Sequence, residues 1–278
     1  MCEEVNAMST KVCLAGATGW AGSALATGIH QTEDMALVGA VSRSQAGKLL
    51  GDALNITDFT LAVSGSAEEA LKTPCDVFVE FTKPDVAKRH ILLALEAGAH
   101  VVVGTSGLTD EDYAEIDKVA KSSALGVLAV GNFALTVVLL QKFAEIAAAH
   151  IPQWEIIDYA HSGKIDAPSG TVRELSHRLG QIRESVLDVA IAETQGVRET
   201  RGARLNGSQV HAIRLPGHVI GAEVIFGLPD QKLIIRHEAG ASAQPYVDGA
   251  LLAIRKVGTF SGLKRGLDSV MEFNLKPN

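Results

Sequence analysis

The sequence predicts a two-domain α/β protein, with a doubly wound parallel sheet followed by an α+β domain that contains an open mixed sheet. Two observations predict it. Over residues 10–130, short apolar runs alternate with helical patterns, which is typical of parallel strands covered on both faces. After Asn132, three strand-like runs follow one another with turns and no helix between them, which favours an antiparallel or mixed sheet.

The first region alternates strands and helices in chain order. Strands are predicted where the run is continuously apolar, and helices where apolar residues recur every three or four positions. The predicted elements are strand KVCLAGA, helix WAGSALATGIH, strands MALVGAVS and PCDVFVEF, helix PDVAKRHILLALEAG, strand HVVVGT, helix TDEDYAEIDKVAKSS and strand ALGVLAVGN. Because parallel strands end at a common edge, we expect the binding site in the loops that follow them.

The second region begins near residue 132, which is the predicted domain boundary. Residues 181–207 are polar and weakly patterned. The predicted elements are a helix over 133–149, strand WEIIDYA, a helix over 169–179, strands SQVHAIRL, HVIGAEVIFG and QKLIIRHEA, and helix QPYVDGALLAIRKV.

Composition narrows the class of protein. The chain has 278 residues, is 47% hydrophobic and carries a net charge of −7, so a nucleic-acid partner is not expected. Its three cysteines are scattered without zinc-type spacing, and no metal site is predicted. The first residues, MCEEVNA, lack the apolar core of a signal peptide, and no run is long enough to span a membrane. We therefore expect a soluble cytoplasmic protein without a membrane partner.

A glycine-spaced loop, GATGWAG, joins the first strand to the first helix. Its glycines fit the GxxGxxG variant of the Rossmann-type dinucleotide loop, and the helix start offers free N–H groups to a pyrophosphate. The alternative is an ordinary glycine-rich turn. The cofactor-binding residues predicted here are Gly16, Thr18, Gly19, Trp20, Ala21 and Gly22.

The second strand ends in Ser42 and Arg43. Loops that bind NAD carry an acidic residue here for the ribose 2′-hydroxyl, whereas a hydroxyl and a guanidinium suit a 2′-phosphate. The pair favours NADPH as the cofactor and leaves NADH open, since Arg43 could also be an ordinary solvated arginine.

Three further strand ends carry small, hydroxylated or aromatic residues that could form the walls of a cofactor site. Each alone is ordinary turn chemistry, but together, at successive strand ends, they predict a pocket in which a nicotinamide ring lies against the backbone. The residues are Phe81, Thr82, Gly104, Thr105, Ser106, Asn132 and Phe133.

The segment HSGKIDAPSG brings a proton carrier and a cation together after a strand. His161 can transfer a proton near neutral pH, and Lys164 can neutralise a substrate carboxylate. Asp166 is expected to cap the next helix, with Pro168 in its first turn. Either charged group alone could be a solvated surface residue.

The start of that next helix adds an anion site. Ser169, Gly170 and Thr171 offer backbone N–H groups and hydroxyls. With His161 and Lys164 as the predicted catalytic residues, and with Lys164, Ser169, Gly170 and Thr171 as the predicted substrate contacts, the segment reads as a cradle for a small di-anion.

These motifs, GATGWAG, EFTKP, GTSG, GNF, VHAIR, LIIRHEA and above all KIDAPSGT, resemble bacterial dihydrodipicolinate reductases over about residues 10–270. The resemblance implies NAD(P)H-linked reduction of a cyclic imine dicarboxylate in lysine and diaminopimelate synthesis. It implies a homotetramer assembled through the second domain's sheet. It also implies that the C-terminal segment returns to the first domain, so that 1–132 and 242–278 bind the dinucleotide and 133–241 serve substrate binding and oligomerisation.

The chain departs from the family's pattern in the substrate half. Where the family has His-His-x-x-Lys, the first histidine, its proposed proton donor, is Ala160, while His161 and Lys164 align with the rest. A family Ser-Arg pair corresponds to Ala241-Ser242, and Gly-Glu-His to residues 221–223, Gly-Ala-Glu.

Three hypotheses remain open on sequence alone. The first is a dihydrodipicolinate reductase with altered proton delivery. The second is a related NADPH reductase of a different imine or keto acid, and the third is a non-catalytic cofactor-binding protein. In the strand-like runs, His211, His218 and His237 are interpreted as core or interface groups. Arg214 and Arg236 could reach a carboxylate, but as strand arginines they are interpreted as solvated or paired.

Overall fold

The computed structural model describes residues 9–57 and 59–273. They form two compact units: the described residues up to Ala134 together with those from Ala243 onward, and Leu135–Ser242. The predictions for MCEEVNA and for Cys2 concern residues outside this range. Among the described residues, no helix combines the length and apolar character that crossing a membrane requires.

The first unit is a parallel sheet with its helices, all numbered along the chain. Its strands are β1 (Thr10–Ala15), β2 (Met35–Val41), β3 (Val63–Ser64), β4 (Val77–Glu80), β5 (His100–Val103), β6 (Gly126–Ala129) and β12 (Gly262–Arg265). Its helices are α1 (Trp20–His30), α2 (Leu50–Leu54), α3 (Ala67–Ala70), α4 (Pro84–Glu96), α5 (Asp110–Ser122) and α8 (Val247–Val257).

The seven strands lie in the order β12-β6-β5-β4-β1-β2-β3, and every pairing is parallel. The predicted doubly wound sheet is confirmed. The sequence analysis missed α2, α3, β3 and β12, because elements of two to five residues are too short to show a hydrophobic period. The C-terminal segment supplies α8 and the edge strand β12 to this sheet.

The second unit is a five-stranded sheet with two long helices. Its elements are α6 (Leu135–His150), β7 (Gln153–Ala160), α7 (Gly170–Ile182), β8 (Ala203–Leu205), β9 (Ser208–Arg214), β10 (Ile220–Leu228) and β11 (Gln231–Ala239). The strand order is β11-β10-β7-β9-β8, with only β7 and β9 parallel, so the predicted mixed sheet is confirmed.

Strand β7 shows how this sheet is held. Its residues alternate strictly between buried and half-buried, with Trp154, Ile156, Asp158 and Ala160 on the buried face. Trp154 and Ile156 pack with Phe226 of β10 in the unit's apolar core. Asp158 is the charged residue on this otherwise apolar face, and its carboxylate accepts a hydrogen bond from the Ser169 N–H in the loop before α7.

Candidate active site

The glycine loop after β1 is shaped for close backbone approach. Gly16 has φ 82°, and a Cβ there would lie 2.3 Å from the carbonyl oxygen of Phe81. A Cβ on Gly22 would lie 2.0 Å from the Gly16 oxygen, whereas one on Gly19 would lie 3.2 Å from it. Gly16 and Gly22 are thus required by the fold, and Gly19 leaves the loop surface open.

Helix α1 begins at Trp20 with no side-chain cap and no acidic residue in its first turn. Its first N–H groups and the positive end of its dipole are therefore available to an anion, as a pyrophosphate requires. On these observations the loop fits a dinucleotide.

The end of β2 carries an exposed cation. The hydroxyls of Ser42 and Thr18 lie 2.6 Å apart, which ties this strand end to the glycine loop. Arg43 is exposed, and within residues 9–57 and 59–273 its guanidinium has no carboxylate partner. It is thus free to meet an anion.

A cavity of about 210 Å³ opens at the carboxyl edge of the first sheet. The structure brings together here all seven residues predicted at the three strand ends, together with Ala21. The lining residues are Ala21, Phe81, Thr82, Pro84, Gly104, Thr105, Ser106, Val130, Gly131, Asn132, Phe133 and Tyr246. The residues that sequence reasoning missed include Tyr246, which reaches the cavity from the C-terminal segment.

Aromatic rings narrow this cavity. Phe81 and Phe133 pack 5.2 Å apart, and a Cβ on Gly104 would lie 2.4 Å from the Phe81 ring. Tyr246 packs edge-on against Trp20 at 5.4 Å, and burial raises the pKa of its phenol. Gly104, without a side chain, lets the rings of Phe81 and Phe133 pack against its backbone, and the cavity is lined by flat aromatic walls that suit a planar ring.

A buried carboxylate lies behind the cavity wall. Glu80, the last residue of β4, is 0% exposed. Its Oε1 accepts hydrogen bonds from the backbone N–H of Thr82 at 2.8 Å, from the Thr82 hydroxyl, and from the Thr105 hydroxyl at 3.2 Å. Its Oε2 lies 2.7 Å from His90 Nδ1 on α4. Sequence reasoning missed Glu80, although an acidic residue closing an apolar strand was a usable signal.

In the second unit, a tight turn follows β7. The Lys164 N–H donates to the His161 carbonyl at 3.1 Å, so the chain doubles back and brings these two residues together. His161 is exposed. Lys164 Nζ lies 2.7 Å from Asp166 Oδ1, and this contact lowers the pKa of Asp166. The lysine is therefore held in a charged pair at the surface of the turn.

The prediction that Asp166 caps α7 is wrong. Ser169 is the N-cap, its hydroxyl accepting from the Val172 N–H, and Pro168 lies before the cap instead of in the first turn. An N-cap must directly precede the first helical residue, and α7 begins at Gly170, so Ser169 takes that position while Asp166 pairs with Lys164.

Of the three residues predicted at this helix start, two remain open to a ligand. Ser169 is 1% exposed and its N–H is already donated to Asp158. Gly170 is exposed and Thr171 half-buried, and as the first two residues of α7 they have no intrahelical partner for their N–H groups.

A buried ion pair fixes this loop from beneath. Arg214 Nη2 lies 2.7 Å from Asp158 Oδ2 and 2.8 Å from the Asp166 carbonyl oxygen. Asp158 Oδ2 also accepts the Ser169 N–H at 2.7 Å. Ser169, at the end of the loop, is thus fastened to the Asp158 carboxylate directly, and Asp166 is fastened to it through Arg214. The sequence left Arg214 as a solvated or paired strand arginine that could reach a carboxylate, and it did not identify the partner; the available signal was Asp158, a carboxylate on the buried face of an alternating strand.

The position of the missing histidine is buried. Ala160 is 0% exposed and lies on the same face of β7 as Asp158. Asp158 Oδ1, two residues away, is a buried oxygen without a hydrogen-bond partner among the described residues. Where the family has a histidine, this chain therefore has a small apolar residue, on the same strand face as a carboxylate oxygen that lacks a hydrogen-bond partner among the described residues.

Other strand residues have partners of their own. His211 lies 2.8 Å from Glu155, and His237 lies 2.9 Å from the Thr136 hydroxyl. Arg236 lies over the Tyr159 ring at 4.5 Å. These contacts give them structural roles within the sheet.

Comparison with known proteins covers both units. Residues 10–133 match the family model for the N-terminus of dihydrodipicolinate reductase, and residues 136–271 match the model for its C-terminus.

Individual relatives agree. A 4-hydroxy-tetrahydrodipicolinate reductase of Desulfitobacterium hafniense is 35% identical over 264 residues, covering 94% of this chain and 98% of its own. One from Thermosynechococcus vestitus is 36% identical over 273 residues, covering 95% and 98%. The structure of a dipicolinate-bound dihydrodipicolinate reductase from Paenisporosarcina sp. TG-14 superposes with a TM-score of 0.86 at 30% identity, covering 95% of this chain and 100% of that one. With the glycine loop, the KIDAPSGT loop and both family models present in one chain, this protein belongs to the dihydrodipicolinate reductase family of NAD(P)H-dependent oxidoreductases.

Proposed function

We propose that this protein reduces 4-hydroxy-tetrahydrodipicolinate, a cyclic imine dicarboxylate of lysine and diaminopimelate biosynthesis, with NADPH as the preferred reductant. The observation that carries the proposal is the loop after β7. There His161 and Lys164 lie in one turn beside the open N-terminus of α7, and a buried ion pair holds that loop. A proton donor next to two anion-binding elements is what reduction of a dicarboxylate imine requires.

The first unit holds the cofactor in this proposal. Gly16, Gly19 and Gly22 accommodate the pyrophosphate at the start of α1. Ser42 and the unpaired Arg43 meet the 2′-phosphate, which favours NADPH over NADH. The cavity beside Phe81 would hold the nicotinamide, and a bound NADPH would supply the hydride for reduction of the imine carbon.

The second unit binds the substrate. Lys164 and the free N–H groups of Gly170 and Thr171 bind carboxylate, and Ser169 shapes their approach by capping the helix. As the imine carbon is reduced, its nitrogen takes up a proton, and His161, exposed beside Lys164, supplies it. Asp166 pairs with Lys164 and holds it in place until a substrate carboxylate arrives.

Ala160 favours a second candidate, a related NADPH reductase acting on a different imine or keto acid. A positioned proton donor is typically worth 10²–10⁴-fold in rate, and the family's donor is absent from this chain. A substrate that needs less proton assistance would make the loss harmless.

The unit Leu135–Ser242 also carries the proposed oligomer contact. The strands β10 and β11, at one side of its sheet, expose Leu228, Leu233 and Ile234. Exposed apolar side chains on a sheet favour burial against a second copy, in line with a homotetramer.

The deciding experiment follows NADPH oxidation by the purified protein, with the substrate made in situ by the preceding synthase. The proposal predicts turnover on the order of 10 s⁻¹. Lys164→Ala is expected to raise the substrate KM about 10- to 100-fold, because a charged hydrogen bond is lost, and to leave NADPH affinity unchanged. Lys72→Ala, at an exposed lysine of the other unit, is the control.

No turnover with the imine, but NADPH-dependent turnover with another cyclic imine or a keto acid, would decide for the second candidate. A large loss of NADPH binding in Lys164→Ala would contradict the placement of this lysine in the substrate half.

A further inference from the structure

The Glu80 carboxylate controls where two hydroxyl hydrogens in the cavity wall can point. Thr82 and Thr105 both line the cavity, and the hydroxyls of both lie against Glu80 Oε1. The carboxylate itself is 0% exposed and does not meet a ligand directly. Its influence on the cavity therefore passes through the two threonines.

A hydroxyl has one hydrogen to donate and two lone pairs to accept with. The Thr105 oxygen lies 3.2 Å from the Glu80 carbonyl oxygen and 3.2 Å from Glu80 Oε1, and both of these are acceptors. Its hydrogen is therefore committed to Glu80. The Thr82 hydroxyl also lies against Glu80 Oε1, and this oxygen acts as an acceptor because it already accepts the Thr82 N–H. The hydrogen of the Thr82 hydroxyl is therefore committed to Glu80 as well.

With their hydrogens committed, both threonine oxygens have only lone pairs left for a ligand. A carboxamide brings N–H donors to such a wall, whereas a carboxylate brings only acceptors and a negative charge. The buried Glu80 carboxylate, directly behind the two hydroxyls, adds electrostatic repulsion of a ligand carboxylate.

We propose that Glu80 is a positioning residue that selects the carboxamide of the nicotinamide ring over the corresponding carboxylate, by turning the lone pairs of Thr82 and Thr105 toward the cofactor. The inference rests on the proposed function, in which this cavity receives the nicotinamide. His90 completes the arrangement: its Nδ1, 2.7 Å from Oε2, fixes the carboxylate so that Oε1 faces both threonines.

The test compares the calorimetric Kd of NADP⁺ with that of nicotinic acid adenine dinucleotide phosphate, which differs only in carrying a carboxylate for the carboxamide. The wild-type protein is expected to bind NADP⁺ at least about 10-fold more tightly. In Glu80→Met the hydroxyls are free to donate and the charge is gone. The nicotinate form should therefore bind Glu80→Met at least about 5-fold more tightly than it binds the wild-type protein.

A gain in affinity separates this role from a merely structural one, because disordered loops would weaken both ligands together. Weakening of both ligands, or an unchanged preference in Glu80→Met, would overturn the proposal. Glu80→Gln is expected to keep most of the preference, since its amide oxygen can replace Oε1 while its NH₂ faces His90. If Glu80→Met and Glu80→Gln lost the preference for NADP⁺ equally, the preference would arise from the charge of Glu80 alone, and the proposed role of the hydroxyls would be overturned.

Thr105→Val gives a second route should Glu80→Met not fold. It keeps the side-chain shape and removes the acceptor, so NADP⁺ is expected to bind about 5-fold more weakly and the nicotinate form no more weakly than before. Equal effects on both ligands would count against the proposal. A wild-type protein that binds neither dinucleotide would overturn the proposed function instead, whereas binding and imine reduction without discrimination would overturn this inference alone.

Discussion

The two units present different chemical groups at their candidate sites. The first unit presents backbone: a Cβ at Gly16 or Gly22 would lie only 2.3 or 2.0 Å from a carbonyl oxygen, so both positions require glycine, and the first N–H groups of α1 are uncapped. The KIDAPSGT unit presents charged side chains, and it holds them with the buried Asp158–Arg214 pair. A backbone site is specified by local sequence, whereas a side-chain site depends on residues far apart in the chain.

The largest effect is expected from breaking the buried pair. Asp158→Ala leaves Arg214, whose side chain is 16% exposed, without its carboxylate, and removes the acceptor of the Ser169 N–H at the end of the loop. We expect the free energy of unfolding to fall by about 3–5 kcal/mol, since an uncompensated buried charge remains. Denaturant unfolding measures it.

Asp34→Ala is the matched control, because Asp34 makes two hydrogen bonds to Arg255 at the surface. Its loss should cost less than about 1 kcal/mol. Similar costs for the two variants would show that the second unit does not depend on its buried pair, and the contrast between the units would fail.

The glycine loop offers a smaller but more diagnostic effect. Gly22→Ala places a Cβ 2.0 Å from the Gly16 oxygen, so we expect a loss of about 2 kcal/mol in stability together with weaker NADPH binding. Gly19→Ala has 3.2 Å available and an extended backbone that alanine accepts, so stability should change little while NADPH binding falls at least about 10-fold. Equal loss of stability in both variants would contradict the division of roles.

These cases show what the sequence could predict. The glycine loop, the strand ends around the cavity and the type of both sheets followed from local patterns, because each depends on residues adjacent in the chain. The cap of α7 did not. Asp166 and Ser169 are both common N-cap residues, and the choice between them depends on Lys164 and on Asp158, which the fold brings to the loop.

The same reason explains the residues that were missed. Glu80 contacts His90 on α4, which is 10 residues away in the chain, and Arg214 contacts Asp158, which is 56 residues away. Each network has one local trace, an acidic residue in a run that is otherwise buried. Such a residue predicts a buried partner without identifying it.

Cofactor preference tests the side-chain contact that the proposed function assigns to Arg43 in the first unit. Arg43→Ala is expected to weaken NADPH binding by about 10-fold or more, because a charged contact to the 2′-phosphate is lost, and to leave NADH unchanged. The ratio of the two dissociation constants is the measurement, and NADH serves as the internal control. Equal weakening of both dinucleotides would remove the 2′-phosphate from this site.

The smallest effect concerns a histidine in the first unit, His100. Burial lowers its pKa below the ordinary value of 6.5, and its Nδ1 accepts the Gly126 N–H at 2.9 Å, which a protonated nitrogen cannot do. As the pH falls below about 6.5, the unfolded chain binds a proton here before the folded chain does, so stability decreases with decreasing pH. Burial likewise lowers the pKa of His237 in the second unit.

His100→Asn is expected to reduce this pH dependence, since the asparagine oxygen can accept the Gly126 N–H and does not titrate. The measurement is the fall in the midpoint of thermal unfolding between about pH 7.5 and 5.5, compared with the wild type and with His237→Asn. A reduced slope in each variant would assign one acid-sensitive histidine to each unit. If His100→Asn left the pH dependence of the unfolding midpoint unchanged, the acid sensitivity of the first unit would arise from another residue. If only His237→Asn reduced it, the acid sensitivity would be confined to the second unit.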